Sequence, residues 1–241
     1  MAKEAVEHFN SRPVRKIRIK LRTRHAQKTY ARAYRLLASA VYAMSLKMRA
    51  FATEQQASQV EEAVDAIINE AHADLTQEIA RMRQMCAENG LNPDELEYTD
   101  PREHVIELSS NRASRYLDMI RDLDELCVLM DSLGIGGVLT DSQHGSGEYQ
   151  WQRRVHRISS KVRTMCEGAV KKAATAKAKR DAKDTGKEAA EVPADVFTSD
   201  LPADVQNDLN TPDDEGEAEQ APKARSAKAS KGEATAEAVA A

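Results

Sequence analysis

The chain has 241 residues, of which 41% are hydrophobic, 31% are charged and only 4% are aromatic, and its formal net charge is −4. This composition predicts one globular domain with an aliphatic core, followed by a segment that does not fold. No apolar run reaches the roughly 18 residues that a membrane-spanning helix needs. The N-terminus lacks the apolar run of a secretory signal, and Cys86, Cys127 and Cys166 are far apart, so we expect a cytoplasmic protein with reduced thiols.

The charge is segregated along the chain. Residues 1–50 contain 13 Lys and Arg against two Glu, whereas residues 51–130 contain 6 basic and 18 acidic residues. Ten cations lie between Arg12 and Arg35, and this stretch contains no acidic residue. Because like charges at this density repel one another, the stretch predicts a polyanionic partner in spite of the negative net charge.

The first predicted element is a strand over residues 14–23, which follows an N-terminal arm, residues 1–12, that we expect to be flexible. Ile17, Ile19 and Leu21 alternate with cations, a period of two that puts apolar side chains on one face and positive charges on the other. A two-stranded ribbon fits the major groove of DNA, where Arg and Lys reach phosphates and guanine acceptors. We therefore interpret this strand as an element that recognises the base sequence of double-stranded DNA. The alternative is an edge strand whose charges prevent aggregation.

The candidate DNA-binding residues lie in this strand or directly after it. The predicted base contacts are Arg18, Lys20 and Arg22, and the predicted phosphate contacts are Arg15, Lys16, Arg24 and Lys28. Thr23 is the predicted N-cap of the following helix, whose first N–H groups would face the same DNA backbone.

Hydrophobic periodicity predicts four helices, over about residues 25–51, 58–87, 110–133 and 148–172. Ser58 and Glu61 form a predicted capping box at the start of the second helix. A second short strand is predicted over residues 103–108, which gives a mainly α domain over residues 13–172.

Two further segments are expected to lack regular structure. Residues 139–147, which include Asp141 and His144, are predicted to form a polar loop between helices. Residues 173–241 are rich in Ala, Lys, Glu and Asp. Residues 173–191 can extend the last helix for a few turns, but the rest of the segment cannot bury enough apolar surface to offset the entropy lost on ordering, so we expect a disordered low-complexity tail.

The second strand and its helix resemble the first strand and its helix at a spacing near 87 residues. The matching pairs are Ile19 with Ile106, Leu21 with Leu108, Ala26 with Ala113 and Lys28 with Arg115. Coincidence and duplication both explain so few matches. If the repeat is real, the strands pair either within one chain or each with its mate in a dimer.

No arrangement of residues predicts catalysis. The six histidines show neither the spacing of metal ligands nor a triad-like order, and no glycine-rich loop of the phosphate-binding kind is present. We therefore predict a protein that is not an enzyme, with no catalytic residues, no metal site and no cofactor.

Three separated segments carry a family resemblance. They are IRIKLRTRHAQ, VIELSSNRASRYLDMIRDLDEL and GVLTDSQHGSGEYQWQRR. Together they resemble the AcaB-like transcriptional regulators of conjugative plasmids and integrating conjugative elements, and the resemblance covers roughly residues 14–170.

The resemblance implies a dimeric ribbon-helix-helix type DNA-binding protein that regulates transfer genes. In that fold, alternate outward residues of an antiparallel ribbon read bases, and Arg18, Lys20 and Arg22 occupy those positions here. The predicted first helix is about twice the usual length and has no glycine turn before a second short helix. We therefore expect a ribbon-helix-helix-like unit elaborated by extra helices, and a homodimer joined through the basic strand and its helix. The rival hypothesis is a helical scaffold or accessory protein that binds a protein of the transcription or conjugation machinery.

Overall fold

The computed structural model describes residues 13–186, 188 and 190–210, and these form helices around one small sheet. The strands are β1 (Arg15–Leu21) and β2 (Arg102–Leu108), and the helices are α1 (Arg24–Thr29), α2 (Arg35–Phe51), α3 (Glu54–Glu88), α4 (Asn111–Ile135), α5 (Asp141–Thr185) and α6 (Ala203–Asn210). A π-helical turn, Tyr30–Tyr34, joins α1 to α2, and a 3-10 turn, Pro93–Glu95, precedes β2. The predicted mainly α fold with short strands is thus confirmed. None of the described helices is apolar over enough of its length to cross a lipid bilayer.

The two strands pair with each other within one chain, which answers the question that the sequence left open. They are antiparallel, and the ladder runs from Arg15 opposite Leu108 to Leu21 opposite Arg102. Ile19, Leu21 and Ile106 are buried, whereas the residues between them are exposed. The predicted alternation along β1 is therefore confirmed, and it exists because one face of the ribbon packs on the helices.

The starts of the helices show that residues 15–185 consist of two β-α-α units. Thr23 caps α1 and Ser110 caps α4, and these residues are 87 positions apart. Thr53 caps α3 and Thr140 caps α5, again 87 positions apart, and each forms a capping box with a glutamine three residues later. The repeat therefore continues without insertion or deletion from the strand to the start of the second long helix of each unit.

The strand register locates a two-fold axis between these units. In the ladder, only Arg18 and Val105 are both paired and 87 positions apart, so an axis that exchanges the units passes through this pair. Buried residues of α3 recur at the equivalent positions of α5, as in Ile68 with Val155, Leu75 with Val162 and Ile79 with Cys166. Moreover, α2 packs along α5 and α4 along α3, so the first long helix of each unit lies against the second helix of the other.

Two helices begin earlier than the sequence predicted. α3 begins at Glu54, capped by Thr53, whereas Ser58 lies inside the helix and donates a hydrogen bond to Glu62. α5 begins at Asp141, so most of the predicted polar loop forms its first two turns. In both cases the Thr-x-x-Gln capping box satisfies the first backbone N–H groups, and a polar sequence can continue the helix from there.

The tail also differs from its prediction. α5 continues to Thr185 and ends at Gly186, whose φ of 66° lies in the left-handed region. Beyond it, a short segment that ends in α6 packs against α2 and buries Val196, Phe197, Leu201, Val205 and Leu209. The described residues 193–210 thus differ from the expected disorder, because a few apolar side chains find a matching helix face. The predicted arm and the end of the predicted tail lie outside the described residues.

Polar contacts fix the position of this segment on α2. Ser39 donates a hydrogen bond to Asp208 at 2.9 Å, and Lys47, which is only 6% exposed, donates one to Ser199 at 3.2 Å. The docked segment therefore carries specific partners for two buried polar groups of α2 as well as apolar contacts.

We expect Phe197→Ala to lower the free energy of unfolding by about 3 kcal/mol, because it leaves a cavity where a 2% exposed ring now packs. Urea denaturation measures this loss. The control is the exposed Glu191→Ala in the same segment, which should change stability by less than about 0.5 kcal/mol. Equal stability of both variants and the parent would contradict the docking of this segment.

Candidate nucleic-acid interface

The outward face of the sheet, which we call the ribbon face, is formed by alternate residues of both strands. It consists of Lys16, Arg18 and Lys20 from β1 and their cross-strand partners Glu107, Val105 and Glu103 from β2. Val105 is 64% exposed. The ribbon face is thus basic along β1 and acidic with an apolar centre along β2.

Arg18 and Lys20 are the cations of this face that are available to a partner. Among the described residues, neither of them has a carboxylate within ion-pair distance, although Lys20 lies opposite Glu103. Lys16 forms an ion pair with Glu107, with Nζ 3.2 Å from Oε1, and both side chains are largely exposed. Exposed pairs of this kind contribute only about 0–1 kcal/mol, so a phosphate can replace the carboxylate at little cost.

Arg22 differs from Arg18 and Lys20, with which the sequence grouped it, because it is paired with a buried carboxylate. β1 ends at Leu21, and the Arg22 Nε is 3.3 Å from Oδ2 of Asp124, a residue that is 4% exposed. The alternation stops here because the chain turns into the helix cap at Thr23. Arg22 therefore anchors the end of the strand to α4, and its side chain, about a third exposed, lines the same surface cleft as Lys20.

Asp124 also uses its other carboxylate oxygen to hold residues 22–23, which connect β1 to α1 and which we call the junction. Its Oδ1 accepts hydrogen bonds from the backbone N–H of Arg22 at 2.9 Å, from that of Thr23 at 2.7 Å and from the Thr23 hydroxyl at 2.9 Å. One buried carboxylate thus satisfies two backbone donors that neither β1 nor α1 can satisfy.

The remaining predicted contact residues surround the junction. Arg15 is exposed at the start of β1, opposite Leu108. Thr23 caps α1 as predicted, with its hydroxyl accepting from the Ala26 N–H at 3.4 Å, but it is only 3% exposed and its side chain cannot reach DNA. Arg24 is exposed and Lys28 is half-buried, and both interact with other residues of the protein.

A polar cluster that was not predicted from the sequence lies next to this junction. Asp131 of α4 and His144 and Glu148 of α5 place their ligand-type atoms within 4.8 Å of one another. His25 of α1 adds its Nε2, which is 3.5 Å from Oε2 of Glu148. The signal in the sequence was the spacing of His144 and Glu148, one helical turn apart, but it was hidden because His144 was assigned to a loop.

Burial shifts the protonation of this cluster. It raises the pKa of Glu148 to about 7, with the negative charge of Asp131 adding to the rise and His144 opposing it. Burial also lowers the pKa of His25, which its hydrogen bond with Gln152 partly offsets. The cluster is therefore a partly buried group of His and carboxylate side chains where charge is costly.

Comparison with known proteins adds one structural likeness. No protein-family profile and no curated protein matches the chain. Among solved structures, selenomethionine-containing AcaB from uropathogenic E. coli aligns with a TM-score of 0.62 and 24% identity, over 83% of this chain and 99% of the AcaB chain. The fold of this chain is similar to that of AcaB. Because the alignment covers 83% of this chain, it includes most of both β-α-α units, and at this identity it concerns the fold alone.

We expect Asp124→Ala to lower the free energy of unfolding by about 3 kcal/mol or more, because the backbone donors of the junction and the Arg22 guanidinium lose their acceptor. Asp124→Asn keeps one acceptor oxygen and should lose less. Chemical denaturation checks both variants. Asp118→Ala, which removes an exposed partner of Arg121 on the same helix, is the control and should stay within about 0.5 kcal/mol of the parent. Equal losses at Asp118 and Asp124 would show that the junction bonds add no stability.

Proposed function

We propose that this protein is a sequence-specific DNA-binding transcriptional regulator of conjugative-transfer or mobile-element genes. The observation that carries the proposal is the row Lys16, Arg18 and Lys20 on the exposed face of a strand whose other face is buried. Burial of Ile19 and Leu21 fixes the orientation of the strand, so these cations are held in register before any DNA arrives. The similarity in fold to AcaB and the resemblance of the sequence to AcaB-like regulators support the same function.

The proposed DNA-binding unit is a ribbon-helix-helix arrangement built from one chain. A ribbon-helix-helix dimer pairs one strand from each of two copies, and here β1 and β2 of one chain pair around a two-fold axis with two helices after each strand. The ribbon is therefore complete without a second chain. The sequence predicted a homodimer joined through the basic strand and its helix. Because β1 already pairs with β2 of the same chain, the homodimer that we propose has another role, which is to bring a second complete ribbon to DNA.

The ribbon differs from a symmetric one in its chemistry. The two-fold axis relates Lys16 to Glu103, Arg18 to Val105 and Lys20 to Glu107. Only the β1 half can approach phosphates and guanine without electrostatic repulsion. We infer that one chain reads an asymmetric half-site through β1, and that an inverted-repeat operator needs two chains.

We expect Arg18→Ala and Lys20→Ala to reduce the preference for specific over scrambled DNA by about 1–3 kcal/mol each, because each loses a base contact. Lys16→Ala should weaken binding to both DNAs alike and reduce the slope of the salt dependence by about 1, as for a phosphate contact. Fluorescence anisotropy at several salt concentrations, with DNA from upstream of the genes of the element itself and with scrambled DNA, measures both effects. If all three variants bind both DNAs as the parent does, β1 is not the element that contacts DNA.

A scaffold that binds a protein partner is the second candidate, and the β2 half of the ribbon face favours it. Glu103, Glu107 and the exposed Val105 resemble a protein-binding surface more than a DNA-binding one. Such a partner would be a component of the transcription or conjugation machinery.

The double variant Glu103→Gln/Glu107→Gln separates the two candidates. If the ribbon face meets DNA, loss of two negative charges should tighten DNA binding by about 1 kcal/mol or more at low salt, since like charges on one face repel the phosphates. The double variant Glu70→Gln/Asp74→Asn removes the same charge from the exposed side of α3 and should have a smaller effect. Equal effects of the two double variants would mean that net charge alone governs binding, and absence of DNA binding in all of them would favour the scaffold.

A further inference from the structure

The ligand-type atoms of the polar cluster have the spacing of a metal site. The Nε2 of His144 is 2.9 Å from Oδ1 of Asp131 and 3.5 Å from Oε2 of Glu148. The Nε2 of His25 is also 3.5 Å from that Oε2 atom. A tetrahedral ion with bonds of about 2.0–2.1 Å to its ligands separates the ligand atoms by about 3.4 Å. Asp131, His144 and Glu148, whose ligand atoms lie within 4.8 Å of one another, would therefore need only small displacements to hold an ion, whereas His25, which approaches Glu148, would have to turn toward it.

Neighbouring residues already orient the cluster in the way that metal sites require. The His25 Nδ1 is 2.7 Å from the side-chain oxygen of Gln152, so Nδ1–H donates there and the lone pair of Nε2 faces Glu148. The Tyr98 hydroxyl donates to Oδ2 of Asp131 at 2.7 Å, leaving Oδ1 toward His144. A Cβ at Gly134 would lie 3.3 Å from Cγ of His144, so the glycine gives the imidazole its room.

The other β-α-α unit shows what occupies the equivalent position. There the two-fold axis places Arg112 where the first unit has His25, and Arg112 contacts Glu61 at 3.2 Å and Asp65 at 2.9 Å. These two acidic residues are equivalent to Glu148 and Gln152. A fixed positive charge thus balances the carboxylates in one unit, whereas in the other unit two imidazoles face the carboxylates of Glu148 and Asp131.

We propose that His25, Asp131, His144 and Glu148 bind one divalent transition-metal ion of the zinc class. Two imidazole nitrogens and two carboxylate oxygens suit Zn²⁺ or Co²⁺ better than Mg²⁺ or Ca²⁺, which prefer oxygen ligands alone. The ion supplies the positive charge that Arg112 supplies in the other unit. It joins α1 to α4 and α5 only a few residues after the end of β1, and so it stabilises the frame of the ribbon. The site does not depend on the proposed binding of DNA.

The test uses the full chain, freed of metal by a chelator and dialysed against Zn²⁺ or Co²⁺. We expect about one ion per chain by mass spectrometry of the bound metal, with visible absorption from tetrahedral Co²⁺ and a higher melting temperature with Zn²⁺. His144→Gln should lose the ion and the absorption. The control is His72→Gln, because His72 also pairs with a carboxylate, its Nε2 lying 2.6 Å from Oδ2 of Asp122, and that pair is not part of the cluster.

A variant that keeps all four ligands separates binding from folding. Gln152→Leu removes only the acceptor that orients His25 and should weaken Zn²⁺ binding by about 10–100-fold, with an unchanged circular dichroism spectrum. If His144→Gln does not fold, His25→Gln replaces it in the test and should likewise lose the ion and the Co²⁺ absorption. The proposal is wrong if the parent binds no stoichiometric ion, if the tetrahedral absorption is absent, or if His144→Gln and His72→Gln lose the same amount of metal.

Discussion

The structure depends on the pairing of β1 with β2 in one register, over a single apolar face. Ile19, Leu21 and Ile106 pack against the helices, and a slip of β1 by one residue would expose Ile19 and Leu21 while burying Arg18 and Lys20. Burial of a few apolar side chains therefore decides which cations reach the surface. The two-fold axis through the centre of the same ladder then sets where each pair of helices can follow.

The duplicated frame carries different chemistry in its two halves. Equivalent positions hold Arg18 and Val105 on the ribbon face, and His25 and Arg112 beneath it. Only the helix caps and the buried apolar positions need to be the same for the backbone fold to repeat, and these are the features that recur in both units. Because both strands belong to one chain, substitutions in one half do not appear in the other. A dimer of identical chains cannot separate the two halves of its ribbon in this way.

The sequence was informative wherever a local pattern decides the structure. The period of two in β1, the helical stripes and the offset of 87 residues were all visible. The start of α5 was missed because apolar periodicity begins only near Trp151, although Thr140 and Gln143 carried the capping signal. The docking of Phe197 was not predictable, because a few apolar residues in a polar tail bury surface only if another helix offers a face. The polar cluster joins His25 of α1 to residues of α4 and α5 that are more than 100 positions away in the sequence. Local sequence patterns do not predict which distant residues come into contact.

The junction between β1 and α1 connects the ribbon face with the interior. Asp124 holds the backbone of Arg22 and Thr23, and the next residue but one, His25, enters the polar cluster. In the second unit, Arg112 reaches two carboxylates from the equivalent position after β2. Each strand is thus followed by a polar anchor, which is buried at Asp124 and partly exposed at Arg112. Because α1 begins directly after this anchor, the contacts that hold His25 in the cluster also fix the direction in which the chain leaves β1, only a few residues from Lys20.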